Sequence, residues 1–340
     1  MTKGFSYPKH LGFVILTLTV FLGFLFIQSM VSGGNAFSGG YWRRQGWWFF
    51  AYLGVLFYLV ATAELDRVFI MRSIRVILFA VAGLGLLFLP GPLRFAGTFG
   101  EANSWGVFAA LSLVSVFESK KYRILSFFPL VALLLSQSRS ALVAVALPFI
   151  SSVRWYVKLP IILLSIIFIM WFNIVRGSGE RLEVWSASFS IWQSAPWLGI
   201  GLDNFQSVFT DYMQNRGLQW QYYDHPHNLI IWSIVSMGTV GFGLFIGWLS
   251  SVFSFVGESY FKKLSLILLI FGFFQPFSTA VWVFLVIFLA LSKWQPEDKN
   301  TANLVLRDFS YRRLWTFVLG ALTGLLIVGR MIGFYLSPFD

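Results

Sequence analysis

Long apolar runs alternate with short polar breaks along this chain, and the runs have the length of membrane spans. Roughly 20 consecutive apolar residues cross the ~30 Å of hydrocarbon in a bilayer, and the stretches 11–31 and 314–336 meet that length. Further apolar runs fall at 46–63, 73–89, 104–117, 122–136, 139–152, 157–174, 228–254, 262–274 and 277–292. The pattern predicts an all-α integral membrane protein with about eleven transmembrane helices, in a range of roughly ten to twelve. The first run carries no small-residue cleavage site and is followed by many others, so it reads as a retained helix. Residues 176–226 form the only long polar interval, and chemistry performed outside the lipid is expected there. The chain then divides into an N-terminal bundle of about seven helices (1–175), a small, mostly helical loop domain (176–226) and a C-terminal bundle of about four helices (227–340).

Composition narrows the class. The 340 residues are 57% hydrophobic, 19% aromatic and 11% charged, which leaves too few charges to cover a soluble globule. A net charge of +11 raises nucleic acid as a partner, but in a membrane protein the excess belongs first to loops facing the cytoplasm. Alternate loops on one side collect about seventeen lysines and arginines, from Lys3 and Lys9 through Arg67, Arg72, Arg75, Lys120, Lys121 and Arg123 to Arg312 and Arg313, against about seven on the other. The N-terminus is therefore expected inside and the central polar interval outside, with no nucleic-acid partner. With no cysteine there is no disulfide and no thiol nucleophile, and three histidines disfavour a structural zinc site.

The charge bias also decides a local ambiguity. Residues 124–153 hold two runs of ~14 residues, each short for a full crossing. Joining them would put Lys262, Lys263 and the Arg307–Arg313 cluster outside, so two short helices meeting at Ser136-Gln-Ser-Arg139-Ser140 are predicted. An arginine at that depth is costly unless it faces a wet cavity or an anion, which marks Arg139 as a functional candidate. The alternative is an arginine snorkelling to the headgroups. Before the run at 104, the turn-rich segment from Pro90 leads to Asn103 and Ser104, either of which is expected to cap the helix that follows.

Within the central interval, Leu182, Trp185, Phe189 and Trp192 recur at helical spacing and Pro196 follows the end of that helix. With Ser178 as its N-cap, Arg181 falls in the first turn, where a cation opposes the helix dipole by ~0.3–1 kcal/mol unless an anion is bound there. A local pair with Glu180 or Glu183 is the other reading. A second amphipathic piece carries Phe205, Val208, Phe209, Tyr212 and Met213, to lie on the membrane surface or to cover a cavity. The interval closes on His225-Pro226-His227-Asn228. Proline favours the first helical position, which makes His225 the N-cap and puts His227 in the first turn, where the positive helix end favours a neutral imidazole able to take a proton. A polar histidine anchoring a helix at the interface is the simpler alternative. Gly238, Gly241, Gly243 and Gly247 are expected to permit close helix packing, and the charged segment from Lys293 to Arg313 is expected to be mobile and non-catalytic.

Arginines beside a histidine suit phosphate or diphosphate chemistry, since guanidinium groups bind a phosphate and stabilise it as a leaving group while an imidazole deprotonates a hydroxyl. Outer carboxylates such as Glu183, Asp203 and Asp224 keep a carboxylate base or a metal open, although none has ligand-like spacing. Four motifs, in order, resemble the bacterial O-antigen ligase and O-antigen polymerase family: Gly97-Thr-Phe-Gly-Glu-Ala-Asn103; Ser136-Gln-Ser-Arg139-Ser-Ala141; Arg181-Leu-Glu-Val-Trp185 with Pro196-Trp-Leu-Gly-Ile-Gly-Leu-Asp-Asn-Phe205; and His225-Pro-His227-Asn228-Leu. The resemblance covers roughly residues 90–250. It implies a multi-pass glycosyltransferase of the GT-C type in the bacterial inner membrane, working on the periplasmic face without metal or other cofactor. Such enzymes transfer a glycan from undecaprenyl diphosphate to an acceptor hydroxyl with inversion.

By the same resemblance, Arg139 and Arg181, with Arg176, would hold the donor diphosphate, and His227 would activate the acceptor, with His225 a second participant. Asn103, Ser138 and Asn228 would support them. The chain is short for the family, whose ligases usually have about twelve helices with both ends inside, whereas eleven would leave the C-terminus outside. A ligase acting on a lipid A core sugar is the leading reading, and a polymerase acting on another lipid-linked repeat unit the second. A protein-glycosylating relative and a transporter of lipid-linked sugars follow; no internal repeat of the transporter kind is visible.

Overall fold

The computed structural model describes residues 9–40, 44–63, 65–87, 101–119, 121–151, 179–217, 223–254 and 260–292. Among them the regular elements are helices, with no strand. They are α1 (Lys9–Ser32), α2 (Trp47–Thr62), α3 (Arg67–Leu87), α4 (Ala102–Phe117), α5 (Phe127–Ser136), α6 (Arg139–Ser151), α7 (Gly179–Ser194), α8 (Phe205–Asn215), α9 (Leu229–Ser254), α10 (Tyr260–Gly272) and α11 (Thr279–Ser292). The apolar runs at 157–174 and 314–336, and the charged segment from Lys293, lie outside the described residues; each other run falls on a helix. Three stretches, Leu11–Ser32, Val68–Leu86 and Leu229–Ser254, are long and apolar enough to cross a membrane. Large apolar side chains stand exposed along them, among them Leu16, Ile27 and Val76, as lipid-facing surfaces require. The protein is a helical membrane protein.

Helix starts follow from side chains that satisfy the first N–H groups. Asp66 Oδ1 accepts from Val68 (2.9 Å) and Phe69 (3.2 Å), so α3 begins before its apolar run. At α4 the residue at the cap is Glu101, not Asn103 or Ser104. Ser104 Oγ instead donates to Glu101 Oε2 at 2.7 Å, and the carboxylate stands at the positive helix end where charge favours it.

Among the described residues two compact units emerge, one from 9–61 and 137–292, the other from 62–136. In the second, α3, α4 and α5 pack against one another. The centre is α4, where Trp105, Phe108 and Leu111 are fully buried. Ser115 on the same helix returns its hydroxyl to Leu111 O (2.7 Å), which pairs a buried polar group within its own helix.

In the first unit α1 and α9 run antiparallel, since Thr17 meets Ser251 (Oγ1···Oγ 2.9 Å) while Gln28 meets Ser236. Phe21 packs on Phe245 and Trp248, and α2 adds Phe50 against Trp232 and Trp282. The pair α10 and α11 packs together through Phe261 and Phe288, and α6 lies on α10. The central interval shares its core with the start of α9: Val184, Ala187 and Ile191 of α7, Phe205 and Phe209 of α8 and Val235 of α9 form one buried cluster. The apolar face predicted for α8 is the one that packs here. The helix expected at α7 is present, but the face that packs is not the one bearing Leu182 and Phe189, which are 60% and 56% exposed, while Val184, Ala187, Ser188 and Ile191 face inward. Small side chains let helices approach closely, and the bulky ones are left on the outer face.

Candidate functional site

The segment before α9 departs from the sequence prediction. Pro226 does not open the helix and His225 is not its cap. Asn228 is, with Oδ1 accepting the N–H groups of Ile230 (2.9 Å) and Ile231 (3.1 Å), because a short carboxamide reaches two unsatisfied donors at once. His227 therefore stands just outside the cap, not within the first turn. Its φ of 55° is a left-handed conformation that few residues other than glycine adopt. His225 supports that turn: it is buried, its Nδ1 accepts the His227 N–H at 3.0 Å, and its ring stacks on Trp232 with centroids 5.8 Å apart. Tyr223 meets the half-exposed His227 ring edge-on at 6.1 Å.

Two contacts fix this turn from outside. Asn228 Nδ2 donates to Phe273 O (3.0 Å), just past α10, and Trp185 Nε1 donates to Pro226 O (2.8 Å). Arg181 lies four residues before Trp185 and so on the same side of α7. It is the third residue of a helix that starts at Gly179, in the first turn as predicted, and half-exposed. Arg176 and Ser178 lie outside the described residues. Arg139 also begins a helix. The predicted break is present: Gln137 takes φ 50°, Ser138 caps α6 by accepting the Ala141 N–H (3.4 Å) and is buried, and Arg139 is exposed. Helix α6 packs on α10, whose end is the one bound by Asn228. Arg139, Arg181, His225, His227, Ser138 and Asn228 all belong to the first unit, whereas Asn103 belongs to the second.

A second arrangement, not read from the sequence, braces the same region. Helix α9 is interrupted at Gly238 (φ 67°, ψ 179°). In an unbroken helix Thr239 N–H would bond Val235 O and Val240 N–H would bond Ser236 O. Here the loop after α7 takes all four groups. Ile200 and Gly201 donate to Val235 O and Ser236 O (both 3.0 Å), while Thr239 and Val240 donate to Pro196 O (2.9 Å) and Trp197 O (3.3 Å). Gln28, buried in α1, donates to both Leu198 O (2.7 Å) and Ser236 O (2.5 Å). Irregular backbone at membrane depth persists only when protein groups satisfy it in this way.

The predicted close packing of glycines on α9 therefore applies in part. A Cβ on Gly238 would collide with Trp197 O, and one on Gly241 would come within 2.6 Å of Phe24, but Gly243 and Gly247 face open space.

The loop continues into Asp203 and Asn204, which bind the α1–α2 connection. Asp203 Oδ2 accepts from Gly40 N (2.6 Å) and Gln45 N (3.0 Å), and Asn204 Oδ1 accepts from Asn35 N (2.7 Å). Gln45, itself buried, donates to Phe277 O (2.8 Å). Sequence reasoning assigned no role to Gln28 or Gln45, and Trp185 and Asn204 entered it only through helical spacing and a family motif, not as hydrogen-bonding residues. For Gln28 a signal existed, since Gln28-Ser29 is an adjacent polar pair in a span whose other polar residues are the isolated Thr17 and Thr19.

No curated protein matches the chain. Residues 124–246, the segment that carries Arg139, Arg181, both histidines and the break at Gly238, match the family model described as O-antigen ligase, and the likeness to the O-antigen ligase and polymerase family is thereby shown over this segment.

Proposed function

We propose that the protein is a membrane glycosyltransferase of the O-antigen ligase type, moving a glycan from undecaprenyl diphosphate to a hydroxyl of lipid A core on the periplasmic face of the bacterial inner membrane. The observation that carries this reading is the Trp185–Pro226 hydrogen bond, which holds the first turns of α7, with Arg181, against the residue preceding His227. A helix turn bearing a guanidinium, tied to the backbone beside an imidazole, suits a reaction that needs an anion held and a proton removed. Arg181 and Arg139, joined by Arg176, bind the diphosphate; both described arginines occupy helix first turns, whose N–H groups add to anion binding. His227 takes the proton of the acceptor hydroxyl. The acceptor oxygen then attacks the anomeric carbon from the face opposite the diphosphate, and the carbon–oxygen bond to the diphosphate breaks with inversion. Undecaprenyl diphosphate leaves with the bonding pair, its charge held by the arginines. His225 acts as a positioning residue, because its Nδ1 is occupied by the His227 N–H. No cofactor or metal enters this scheme.

The accompanying topology is a GT-C-like bundle of about eleven spans, with 176–226 as the outer segment between spans 7 and 8 and the N-terminus inside. Transfer from a lipid-linked donor in reconstituted vesicles tests the proposal. His227→Ala is expected to abolish transfer while donor binding persists, and Arg181→Ala or Arg139→Ala to weaken donor binding. Unchanged transfer in His227→Ala removes that residue from the chemistry. The family match favours a polymerase equally in kind, and product growing as a ladder on a lipid-linked acceptor, with none on lipid A core, would replace the ligase reading by that one.

A further inference from the structure

A cavity of about 360 Å³ lies wholly within the second unit and is lined by Arg72, Arg75, Ser119, Lys121 and Tyr122. Arg72 and Arg75 are three residues apart and share a face of α3, inside the apolar stretch Val68–Leu86. Arg75 is held in place by donating from Nε to Ser115 O at 2.8 Å, and Lys121 Nζ stands 5.2 Å from the Tyr122 ring centroid. Among the described residues, no carboxylate lines the cavity. Three cations gathered around one space repel one another, and an anion in that space offsets the cost.

The surroundings say which anion. Phe69 and Val76, one turn either side of Arg72 on α3, and Ile124 and Phe127, close in sequence to Tyr122, are 46%, 66%, 86% and 65% exposed, an apolar rim adjoining the pocket residues along the chain. By the positive-inside count this end of α3 faces the cytoplasm, where leaflet lipids are anionic. We propose that the cavity binds the phosphate of an anionic phospholipid headgroup, with Arg72, Arg75 and Lys121 on the phosphate oxygens, the Ser119 and Tyr122 hydroxyls completing the cradle, and the acyl chains lying on the apolar rim. A free phosphate would use the cations and leave the rim bare.

The test is lipid retention by the purified full chain in detergent, followed by native mass spectrometry and by thermal stabilisation, with phosphatidylglycerol, phosphatidylcholine and inorganic phosphate as probes. Phosphatidylglycerol should bind saturably and at least about tenfold more tightly than phosphatidylcholine, and inorganic phosphate at equal concentration should not displace it. Near a membrane surface each cation contributes roughly fivefold. Arg72→Gln, at an exposed position, should therefore weaken binding about fivefold and Arg72→Gln with Lys121→Gln about twentyfold, whereas Arg72→Lys with Lys121→Arg keeps most of it. Lys262→Gln with Lys263→Gln, basic residues of the other unit, should change nothing. Equal phosphatidylglycerol affinity in the double glutamine variant, equal binding of phosphatidylcholine, or displacement by phosphate alone would overturn the proposal.

Discussion

Replacing Gly238 by alanine probes the brace at its narrowest point. A side chain there meets two obstacles. The φ/ψ pair of 67° and 179° belongs to a region populated almost only by glycine, costing about 1–3 kcal/mol for other residues, and the new Cβ collides with the Trp197 carbonyl and sits 2.5 Å from Gly199 N. Helix α9 escapes by closing into a regular helix, which restores two internal hydrogen bonds but breaks the four it shares with residues 196–201. The balance is two bonds lost at about 1 kcal/mol each, with two amides and two carbonyls of the loop left unpaired. A destabilisation of about 3–5 kcal/mol follows from the lost bonds and the unpaired loop groups together. Thermal unfolding in detergent, read by tryptophan fluorescence, measures it, and donor transfer reports whether the turn before α9 has moved. The matched controls are Gly243→Ala and Gly247→Ala, at positions with nothing within 4 Å, where alanine should be neutral or stabilising by up to about 1 kcal/mol. Wild-type stability and transfer in Gly238→Ala would refute the account of the break.

Other perturbations address the turn, the clamp and the topology. Asn228→Ala removes the α9 cap and the bond to Phe273, so thermal unfolding should show a loss of about 1–2 kcal/mol, most of which Asn228→Asp recovers through the capping oxygen. His225→Phe keeps a ring to stack on Trp232 but deletes the acceptor for the His227 N–H; a positioning role predicts a lowered turnover with little change in donor affinity, and unchanged turnover would count against it. Asp203→Ala strips the α1–α2 connection of two charge-assisted hydrogen bonds, with an expected loss of about 3 kcal/mol in the same unfolding assay. Because the chain contains no cysteine, single cysteines report topology cleanly: a membrane-impermeant thiol reagent should label Ser207→Cys in intact cells and Glu118→Cys only after permeabilisation, and the reverse pattern would invert the charge-based orientation.

Hydropathy located the described helices well, because a lipid-exposed segment must be apolar along its whole length whatever it packs against. The break between α5 and α6 was legible from charge placement alone, and Gln137 supplies it with a left-handed backbone. Local rules failed where two of them competed. At residues 225–228 the preference of proline for the first helical position pointed one way and the capping strength of asparagine the other, and the cap won. At α7 the spacing of bulky residues marked a helix, but the face that packs is not the one bearing Leu182 and Phe189: Val184, Ala187, Ser188 and Ile191 make the close contact. The brace at Gly238 was illegible for a different reason: its partners are backbone groups about forty positions earlier, and no side-chain pattern encodes a carbonyl's partner.

That brace constrains how the protein is made. Residues 196–201 leave the ribosome before α9 does, and α9 on its own carries two carbonyls and two amides with no intrahelical partner at its break. Hydrocarbon offers those groups nothing, so a lone α9 would enter the bilayer as a continuous rod and open only after docking on the earlier segment. Biogenesis should accordingly pass through a stage in which α9 is integrated but straight, with the turn bearing His227 not yet seated, and translation must complete that docking before the region can take the form described above.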